Sequence, residues 1–261
     1  MIVKNIVAIF DRELRSYFVS PIAYVVIALF LVIAGFFFYV MLNSFLNYSF
    51  RATMQAQYYR MAPPKVNVNM LVIRGMIHNF GLILLFIVPA ITMRLFAEEK
   101  KSGTSELILT SPITTTQIIL GKFFAGMTLL LSMIAPTFLY ILIMIIWGNP
   151  EILPIFSGYL GLILIGGSFI AVGLFISSLT ENQIIAYVGG LVVLLLFWVI
   201  GWAGGAGSKI GSVLSYLSLI NHLDDFAKGV IDIKHIVYYL SFITFGLFLT
   251  YRSIESMKWR G

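Results

Sequence analysis

The chain contains no cysteine among its 261 residues, and only 11% of its residues are charged. The absence of cysteine excludes disulfides, thiolate nucleophiles and cysteine-based metal sites. No G-x-x-x-x-G-K-[ST] string occurs, so the chain has no P-loop to hold the phosphates of ATP. Its three histidines, His78, His222 and His235, are far apart in sequence and lack metal-ligand spacing. We therefore predict that the chain itself has no catalytic residue, no metal site and no bound cofactor.

Apolar residues, in contrast, make up 60% of the chain and form several runs longer than the roughly 18 residues needed to cross a bilayer. This pattern predicts an all-α membrane protein. The six predicted transmembrane helices cover about residues 22–42, 75–96, 117–147, 155–179, 184–202 and 235–251. Between them, 43–74 is predicted to be an aqueous loop, and 208–219 and 223–230 are predicted to form short extracytoplasmic helices.

Residues 1–20 form a separate amphipathic unit in front of the six-span domain, which covers 21–261. Its apolar residues recur at helical spacing: Val3, Ile6, Val7, Phe10, Leu14, Tyr17 and Phe18. A helix of this kind with basic flanks is typical of a helix that lies in the membrane interface. The alternative is an ordinary amphipathic helix that packs on protein. Pro21 then starts the first span, a position where proline is tolerated.

The positions of the basic residues predict the orientation. Six spans place both termini on one side, and Arg252, Lys258 and Arg260 in the C-terminal tail assign that side to the cytoplasm. Lys100 and Lys101 lie on the same side and agree. We expect a multi-pass protein of the bacterial inner membrane. The net charge of +6 lies at span ends, so we predict the lipid bilayer and no nucleic acid as its partner.

Ionisable residues are missing from the middle of the predicted spans, and this disfavours an ion-coupled transporter. Arg94 and Lys122 are near span ends, where their side chains are expected to snorkel toward water. An apolar and aromatic interior favours an amphipathic or lipid-linked cargo, or no cargo at all.

One polar stretch, RLFAEEKKSGTSELILTSPITTTQ (94–117), separates the second and third predicted spans. Its charge cluster is followed by Gly103, which can end a helix in a left-handed conformation. The next residues are long enough for about two helical turns before Pro112 forbids continuation. Thr114 and Gln117 have the spacing of a capping box. A short helix held between two spans suits docking to a soluble partner; the alternative is a solvated loop.

The string FAEEKKSGTSELILTSPIT, followed by Gly121 and Lys122, resembles the cytoplasmic coupling loop of ABC-2 type exporter permeases, E-E-K-x-x-G-T-x-E-x-L-L-x-x-P. The resemblance implies a coupling loop over 98–116 that contacts an ABC ATPase dimer, which would hold ATP and Mg. It also implies a second permease half, either an identical or a related chain. The residues to which it assigns ATPase coupling are Glu98, Glu99, Lys100, Lys101, Gly103, Thr104, Glu106, Leu107, Ile108 and Pro112.

A second resemblance covers SPIAY (20–24), LINHLDDFAKGVID (219–232) and YYLS (238–241), which are similar to permeases associated with gliding motility or with nitrous oxide reductase maturation. Within it, the candidates for contact with an extracytoplasmic partner are His222, Asp224, Asp225, Phe226 and Lys228; the alternative is a solvated helix face. The expected function is ATP-driven export. The alternative is a mechanical or scaffold complex without cargo, in which an auxiliary membrane protein with a periplasmic domain is expected.

Overall fold

The computed structural model describes residues 2–62, 66–104, 113–204 and 209–258. Throughout these ranges the regular structure is helical, and no strand occurs in them. The α-helices are α1 (Ile2–Val19), α2 (Pro21–Tyr58), α3 (Arg74–Thr92), α4 (Arg94–Lys101), α5 (Thr115–Ile134), α6 (Phe138–Gly148), α7 (Ile152–Leu179), α8 (Gln183–Val199), α9 (Lys209–Leu217), α10 (Leu219–Ala227) and α11 (Ile233–Lys258). A π-helical turn, Asn69–Ile73, precedes α3, and 3₁₀ turns cover Ala135–Thr137 and Ile200–Gly204.

Six helical stretches among the described residues are long and apolar enough to cross a membrane. They are Pro21–Tyr58, Asn69–Lys101, Thr115–Gly148, Ile152–Leu179, Gln183–Ala203 and Ile233–Met257. The predicted fold class, an all-α multi-pass membrane protein, is thereby confirmed. The short helices α9 and α10 lie where the sequence predicted two short helices before the last span.

The centre of the bundle is formed by the second and fourth spans. In their most apolar windows, 72% and 78% of the residues are buried, against 17% for the first span. Small residues allow α7 to approach its neighbours closely. At Gly173, an added Cβ would lie 1.9 Å from Thr92 Oγ1, and at Gly161 it would lie 2.8 Å from Phe226 Cβ. Glycine at these positions therefore fixes where α3 and α10 pack on α7.

Two prolines coincide with breaks in the spans. Pro136 lies in the 3₁₀ turn between α5 and α6. Pro89 lies inside the last turn of α3, which ends at Thr92, and α4 begins at Arg94. The break after α3 leaves backbone groups that need partners from a neighbouring helix.

The first span extends much further than expected, because residues 43–58 continue α2 instead of forming a loop. No glycine or proline interrupts this stretch. Its polar side chains bond to the carbonyl one turn earlier: Ser44 donates to Val40 O at 2.8 Å and Thr53 to Ser49 O at 2.9 Å. The polar residues of this stretch thus lie on a helix that is exposed to water. The prediction of an aqueous loop over 43–58 was wrong.

Charged residues collect at the two opposite ends of this bundle. The α1 end is formed by α1, α4, the first turns of α5 and the last turn of α7. The α10 end is formed by the π-helical turn, α9, α10 and the first turns of α11. Both ends carry ion-pair clusters that join several helices.

Candidate functional site

The start of α5 is fixed by the capping box that the sequence predicted. Thr114 Oγ1 accepts from the Gln117 backbone N–H at 3.4 Å, and Gln117 Oε1 accepts from the Thr114 N–H at 3.1 Å. The same Gln117 oxygen accepts from Asn5 Nδ2 of α1 at 3.2 Å. The entry into α5 is therefore tied directly to α1.

Helix α1 packs its apolar side along α5. At Gly121 an added Cβ would lie 2.7 Å from Ile9 Cγ2 and 3.2 Å from Ile6 O, so only glycine allows this approach. Much of the apolar stripe that was expected to face the membrane interface is covered by protein, the alternative left open by the sequence. Val3 and Val7 stay exposed. A position of α1 at the membrane surface remains a prediction.

Lys122, the residue after Gly121, is fully buried. Its Nζ lies 3.0 Å from Glu13 Oε1 and 2.8 Å from Glu99 Oε1, and it donates to Leu95 O at 2.7 Å. The expectation that this side chain snorkels to water is wrong. An ammonium has three donors and no acceptor, and three acceptors from α1 and α4 satisfy all of them. Lys122 therefore joins α1, α4 and α5 at a single atom.

Arg12 completes a four-charge cluster with Lys122, Glu13 and Glu99. Arg12 Nη2 lies 2.5 Å from Glu13 Oε1 and 2.8 Å from Glu99 Oε1, so two cations share two carboxylates. Burial raises the pKa of Glu13, but the Lys122 ammonium and the Arg12 guanidinium together outweigh this effect, so the pKa lies below its ordinary value. The lowered pKa favours the ionised form of Glu13 at neutral pH, the form that pairs with both cations.

The break between α3 and α4 is held by Ser177 of α7. Its hydroxyl accepts from the N–H groups of Phe96 and Ala97, both at 3.1 Å, and donates to Met93 O at 2.8 Å. Lys100 Nζ donates to Ser178 O nearby. These bonds satisfy backbone groups that the break leaves open, and they fix α4 to the central helix α7. No sequence pattern pointed to Ser177.

The residues predicted to couple to an ATPase fall into three groups. Glu99 and Lys100 make the internal contacts just described. Glu98, Lys101, Gly103 and Thr104 are exposed where the chain leaves α4. The remaining predicted residues lie outside the described residues: Glu106, Leu107, Ile108 and Pro112.

Gly103 ends α4 in the conformation that the sequence predicted. Its φ is +69°, and an added Cβ would meet no atom within 4 Å. Its importance is therefore conformational, because other residues rarely adopt this backbone angle. Ser102 strengthens the helix end, since its hydroxyl donates to Glu98 O at 2.9 Å.

Between α1, α4 and α5 lies an open cleft of about 510 Å³. Its lining combines the four-charge cluster with the exposed end of α4: Arg12, Glu13, Ser16, Tyr17, Arg94, Leu95, Glu98, Glu99, Ser102, Thr104 and Lys122. Charged and polar side chains from α1, α4 and α5 contribute to the lining, and Thr104 among them is the last described residue in the first part of the predicted coupling loop, 98–116.

The second predicted site, at the α10 end, is more internal than expected. Phe226 is completely buried against α7, and His222 is 4% exposed, so these two side chains hold α10 on the bundle and present no surface.

Asp224 Oδ1 accepts from Arg74 Nε at 2.9 Å and Nη2 at 2.7 Å, and Lys228 Nζ lies 2.5 Å from Oδ2. Burial raises the pKa of Asp224, but Lys228 and Arg74 outweigh it, so the pKa is lowered. Asp225 and Lys228 keep an exposed face.

Two of the histidines that are distant in sequence meet in the fold. His222 Nδ1 lies 2.6 Å from His235 Nδ1, while His78 Nε2 lies 3.2 Å from Asp224 Oδ1. Across the described parts of the chain, no group of three or more His, Cys, Asp or Glu side chains has an arrangement that could hold a metal ion.

Comparison with known proteins adds one match. A family model described as "ABC-2 family transporter protein" matches residues 7–251, nearly the whole chain. No curated protein matches the chain. The matched stretch begins within α1 and includes both ion-pair clusters.

Proposed function

Because this chain belongs to the ABC-2 transporter family and is a permease component of an ABC transporter, we propose that it exports an amphipathic or lipid-linked substrate by coupling to ATP hydrolysis on a separate ABC ATPase. The family implies the ATPase partner. In this proposal ATP and Mg bind only to the ATPase dimer. The sequence supports that division, since it contains no P-loop.

The observation that carries the proposal is the cluster around Lys122. The predicted coupling loop, 98–116, leaves the bundle at α4 and re-enters it at α5. Lys122 connects these two helices through Glu99 and Leu95, and connects both to α1 through Glu13. A force on the loop therefore reaches three helices together, and Ser177 extends this connection to α7. This is the arrangement that a coupling element requires.

We place the α1 end in the cytoplasm of a bacterium and the α10 end outside the inner membrane. The basic C-terminal segment and Lys101 at the α1 end support this orientation. Residues 98–116 then face the ATPase, with Glu98 and Glu106 as acceptors for its basic groups and Leu107 as an apolar anchor.

The complete transporter in our proposal contains two permease halves, since paired ATPases offer two equivalent docking surfaces. The first and fifth spans are proposed as the dimer interface. Their most apolar windows are only 17% and 22% buried within one chain, which leaves apolar faces for a second copy or for lipid. We also assign the chain to the branch of gliding-motility and nitrous-oxide-reductase permeases, on the motifs at 20–24 and 219–232.

The second candidate function is a mechanical complex that moves an extracytoplasmic partner without cargo. One observation favours it: residues 43–58 of α2 extend the first span by about 24 Å of helix. This extension exposes large side chains, including Tyr48, Phe50, Met54 and Tyr58. An auxiliary membrane protein with a periplasmic domain would bind there. ATP turnover in proteoliposomes without transfer of a labelled lipid would favour this function over export.

The coupling assignment is tested by Leu107→Ala. A buried interface anchor typically costs about 2 kcal/mol when truncated, whereas an exposed charge contributes about 0–1 kcal/mol. We expect Leu107→Ala to reduce co-purification of the ATPase and its turnover in the complex far more than Lys101→Ala does. Equal effects of the two substitutions would contradict the assigned roles.

Gly103 provides a matched pair for the same assay. Gly103→Val places a β-branched residue at φ +69°, while asparagine tolerates this conformation. We expect Gly103→Val to lower ATPase turnover and Gly103→Asn to retain most of it. Both variants should insert into the membrane normally, since Gly103 lies outside the six spans. If Leu107→Ala and Gly103→Val both kept wild-type ATPase turnover, the coupling assignment would be wrong. The alternative, a solvated loop, would then hold for this stretch.

A further inference from the structure

A second cavity, of about 300 Å³, opens at the α1 end beside the cleft. Most of its wall is apolar and comes from the membrane spans: Ile22, Ala23, Val26, Ala90, Ile91, Met93 and Leu129. Its remaining lining is polar: Tyr17, Arg94, Glu98 and Gln183. The cavity is therefore amphipathic, with its apolar part formed by helices that cross the bilayer.

Arg94 lines this cavity and forms no ion pair with any described residue. No carboxylate of the described residues comes within ion-pair distance of it, including Glu98 one turn further along α4. Its guanidinium instead lies 5.5 Å from the centre of the Tyr17 ring. Arg94 is the first residue of α4, where the apolar helix α3 gives way to charged chain. Arg94 lies about two turns before the end of the span Asn69–Lys101, from where a long basic side chain can reach the lipid headgroups.

Tyr17 adds an unused donor next to Arg94. Only 3% of this residue is exposed, and its hydroxyl has no hydrogen-bond partner among the described residues. Buried hydroxyls without a partner are rare in folded proteins and call for an explanation. Tyr17 lines this cavity as well as the cleft. A cation and a hydroxyl donor thus converge at the polar part of an apolar cavity.

We propose that this cavity binds an anionic phospholipid. Its phosphate pairs with Arg94 and accepts a hydrogen bond from Tyr17 after a small adjustment of that side chain, and the first part of an acyl chain lies along Ile22, Val26 and Leu129. Basic pockets between membrane helices bind acidic headgroups in this way. The bilayer is the source of the ligand, since a free phosphate would leave the apolar wall uncovered. The site depends on the chain crossing a membrane and not on the transport cycle.

Native mass spectrometry of the full chain in detergent tests this site. Phosphatidylglycerol and phosphatidylcholine with identical acyl chains are added in competition. We expect the wild type to retain phosphatidylglycerol by about fivefold or more, in line with the attraction of a basic residue to acidic lipid. Arg94→Gln should abolish this preference and Tyr17→Phe should weaken it. Arg15→Gln, which removes an exposed cation from α1, should leave it unchanged.

Three results would overturn the lipid site: no preference in the wild type, an unchanged preference in Arg94→Gln, or complete displacement by millimolar inorganic phosphate, which would indicate a soluble anion. The readout is lipid retention without ATPase. A negative result therefore leaves the proposed transport function standing, and loss of ATPase coupling leaves the lipid site standing.

The histidine pair at the α10 end carries a second, independent inference. His222 Nε2 lies 2.7 Å from Tyr216 O, and a carbonyl only accepts, so this nitrogen bears a proton. In the neutral ring, His222 Nδ1 is then an acceptor, and His235 Nδ1, 2.6 Å away, must donate to it. The far nitrogen of His235, Nε2, lies 3.0 Å from Asp225 Oδ2 in a close contact that is not aligned as a hydrogen bond. A proton on that nitrogen gives the pair one positive charge beside the Asp225 carboxylate.

A second positive charge does not fit this geometry, because protonating His222 Nδ1 would bring two N–H groups together at 2.6 Å. Asp225 lies at the wrong nitrogen of His235 for the three side chains to share a metal ion. The other groups around the pair are Tyr216 of α9 and Lys234, Tyr238 and Tyr239 of α11, while Arg74 and His78 of α3 pair with Asp224.

We infer that this pair is an acid-sensitive contact between α10 and α11. Burial lowers the pKa of His222, and His235 and Lys234 act in the same direction, against the raising effects of the Tyr216 carbonyl and Asp225. An exposed histidine titrates near pH 6.5. Below that pH, His222 binds a proton when the contact between α10 and α11 is open. In the closed contact the 2.6 Å distance between the two Nδ1 atoms leaves no place for that proton. The contact is therefore fully stable above about pH 6.5 and loses stability as the pH falls.

Hydrogen exchange of the full chain, corrected for intrinsic rates, tests the inference in peptides that cover 219–235. From pH 7.5 to 5.5 we expect protection there to fall by about tenfold, the factor for one proton taken up one pH unit below 6.5. Peptides of α7 should change little. His222→Phe keeps a ring against Tyr238 and should remove the pH dependence, while His78→Gln should retain it. A wild type with constant protection, or a His222→Phe variant with the full tenfold change, would overturn the inference.

Discussion

Lys122→Met is expected to destabilise the protein by about 3 kcal/mol, because it leaves Arg12 alone to balance two largely buried carboxylates and removes the donor to Leu95 O. Glu13 and Glu99 are 12% and 17% exposed, so water relieves only part of this cost. The connection between α1, α4 and α5 is lost at the same time. In the complex with the ATPase, turnover should no longer respond to the permease. Unfolding of the purified chain and ATP turnover of the complex measure the two effects.

Control variants separate the loss of the Lys122 charge from the change in the size of its side chain. Lys101→Met removes an exposed lysine of the same length and should stay within about 0.5 kcal/mol of the wild type. Adding Glu13→Gln and Glu99→Gln to Lys122→Met removes the unmatched charges. This triple variant should recover much of the lost stability, since neutral replacement of buried ion pairs is often close to neutral and the one remaining charge, Arg12, is half exposed to water. It should not recover coupling. A Lys122→Met variant as stable as Lys101→Met would contradict the role of this cluster.

Gly173→Val is expected to destabilise the helix bundle as much as Lys122→Met does, or more. Even a single Cβ at this position would lie 1.9 Å from Thr92 Oγ1 and 2.7 Å from Thr92 Cβ, distances that no side-chain rotation relieves in full. The central helices α3 and α7 would have to separate where the break between α3 and α4 is held. Overpacking usually costs about 1–3 kcal/mol, and we expect the upper end of that range or beyond. The measurements are the yield of monodisperse protein and its unfolding midpoint.

Gly190→Ala is the matched control for Gly173. Its added Cβ would meet Pro89 Cβ at 3.7 Å, an ordinary contact, so near-wild-type stability is expected. The milder variant Gly173→Ala should be partly rescued by Thr92→Gly, which removes the atoms in the way. If Gly173→Val gave wild-type yield and midpoint, the close packing of α3 on α7 would be wrong.

The six spans could be predicted because apolar length alone decides them. The limits of the elements could not be, since they depend on local bonding that hydropathy does not report. Residues 43–58 have the composition of a loop, yet side chains such as Ser44 and Thr53 bond within the helix. Glycine was a better guide, because Gly103 ends α4 in the left-handed conformation that the sequence predicted.

The site was predicted in part. The capping box at Thr114 and the helix end at Gly103 followed from local sequence rules, which depend on neighbours in the chain. Lys122 was misjudged because its partners, Glu13 and Glu99, are 109 and 23 residues away. A usable signal did exist: a glycine followed by a lysine just inside the apolar run of the third span. Such a lysine needs buried acceptors, and the acidic residues that it pairs with, Glu13 and Glu99, lie on other helices.

The histidine pair shows the same limit. His222 and His235 are 13 residues apart, and their contact depends on how α10 folds back on α11. The spacing of histidines along the sequence reports only ligand patterns within one segment. It therefore did not indicate a histidine pair that forms only when α10 and α11 pack together. Ser177 was missed for a related reason, because its three bonds exist only where α7 crosses the break after α3.

The coupling of this permease to an ATPase is tested most directly by a photo-crosslinking residue at Leu107 in the assembled transporter. A second variant carries the same probe at Tyr58, which is exposed at the opposite end of the molecule. We predict a crosslink from position 107 to the ATPase chain and none from position 58. A crosslink from position 58 to the ATPase, or none from position 107 in a complex that still hydrolyses ATP, would contradict the account.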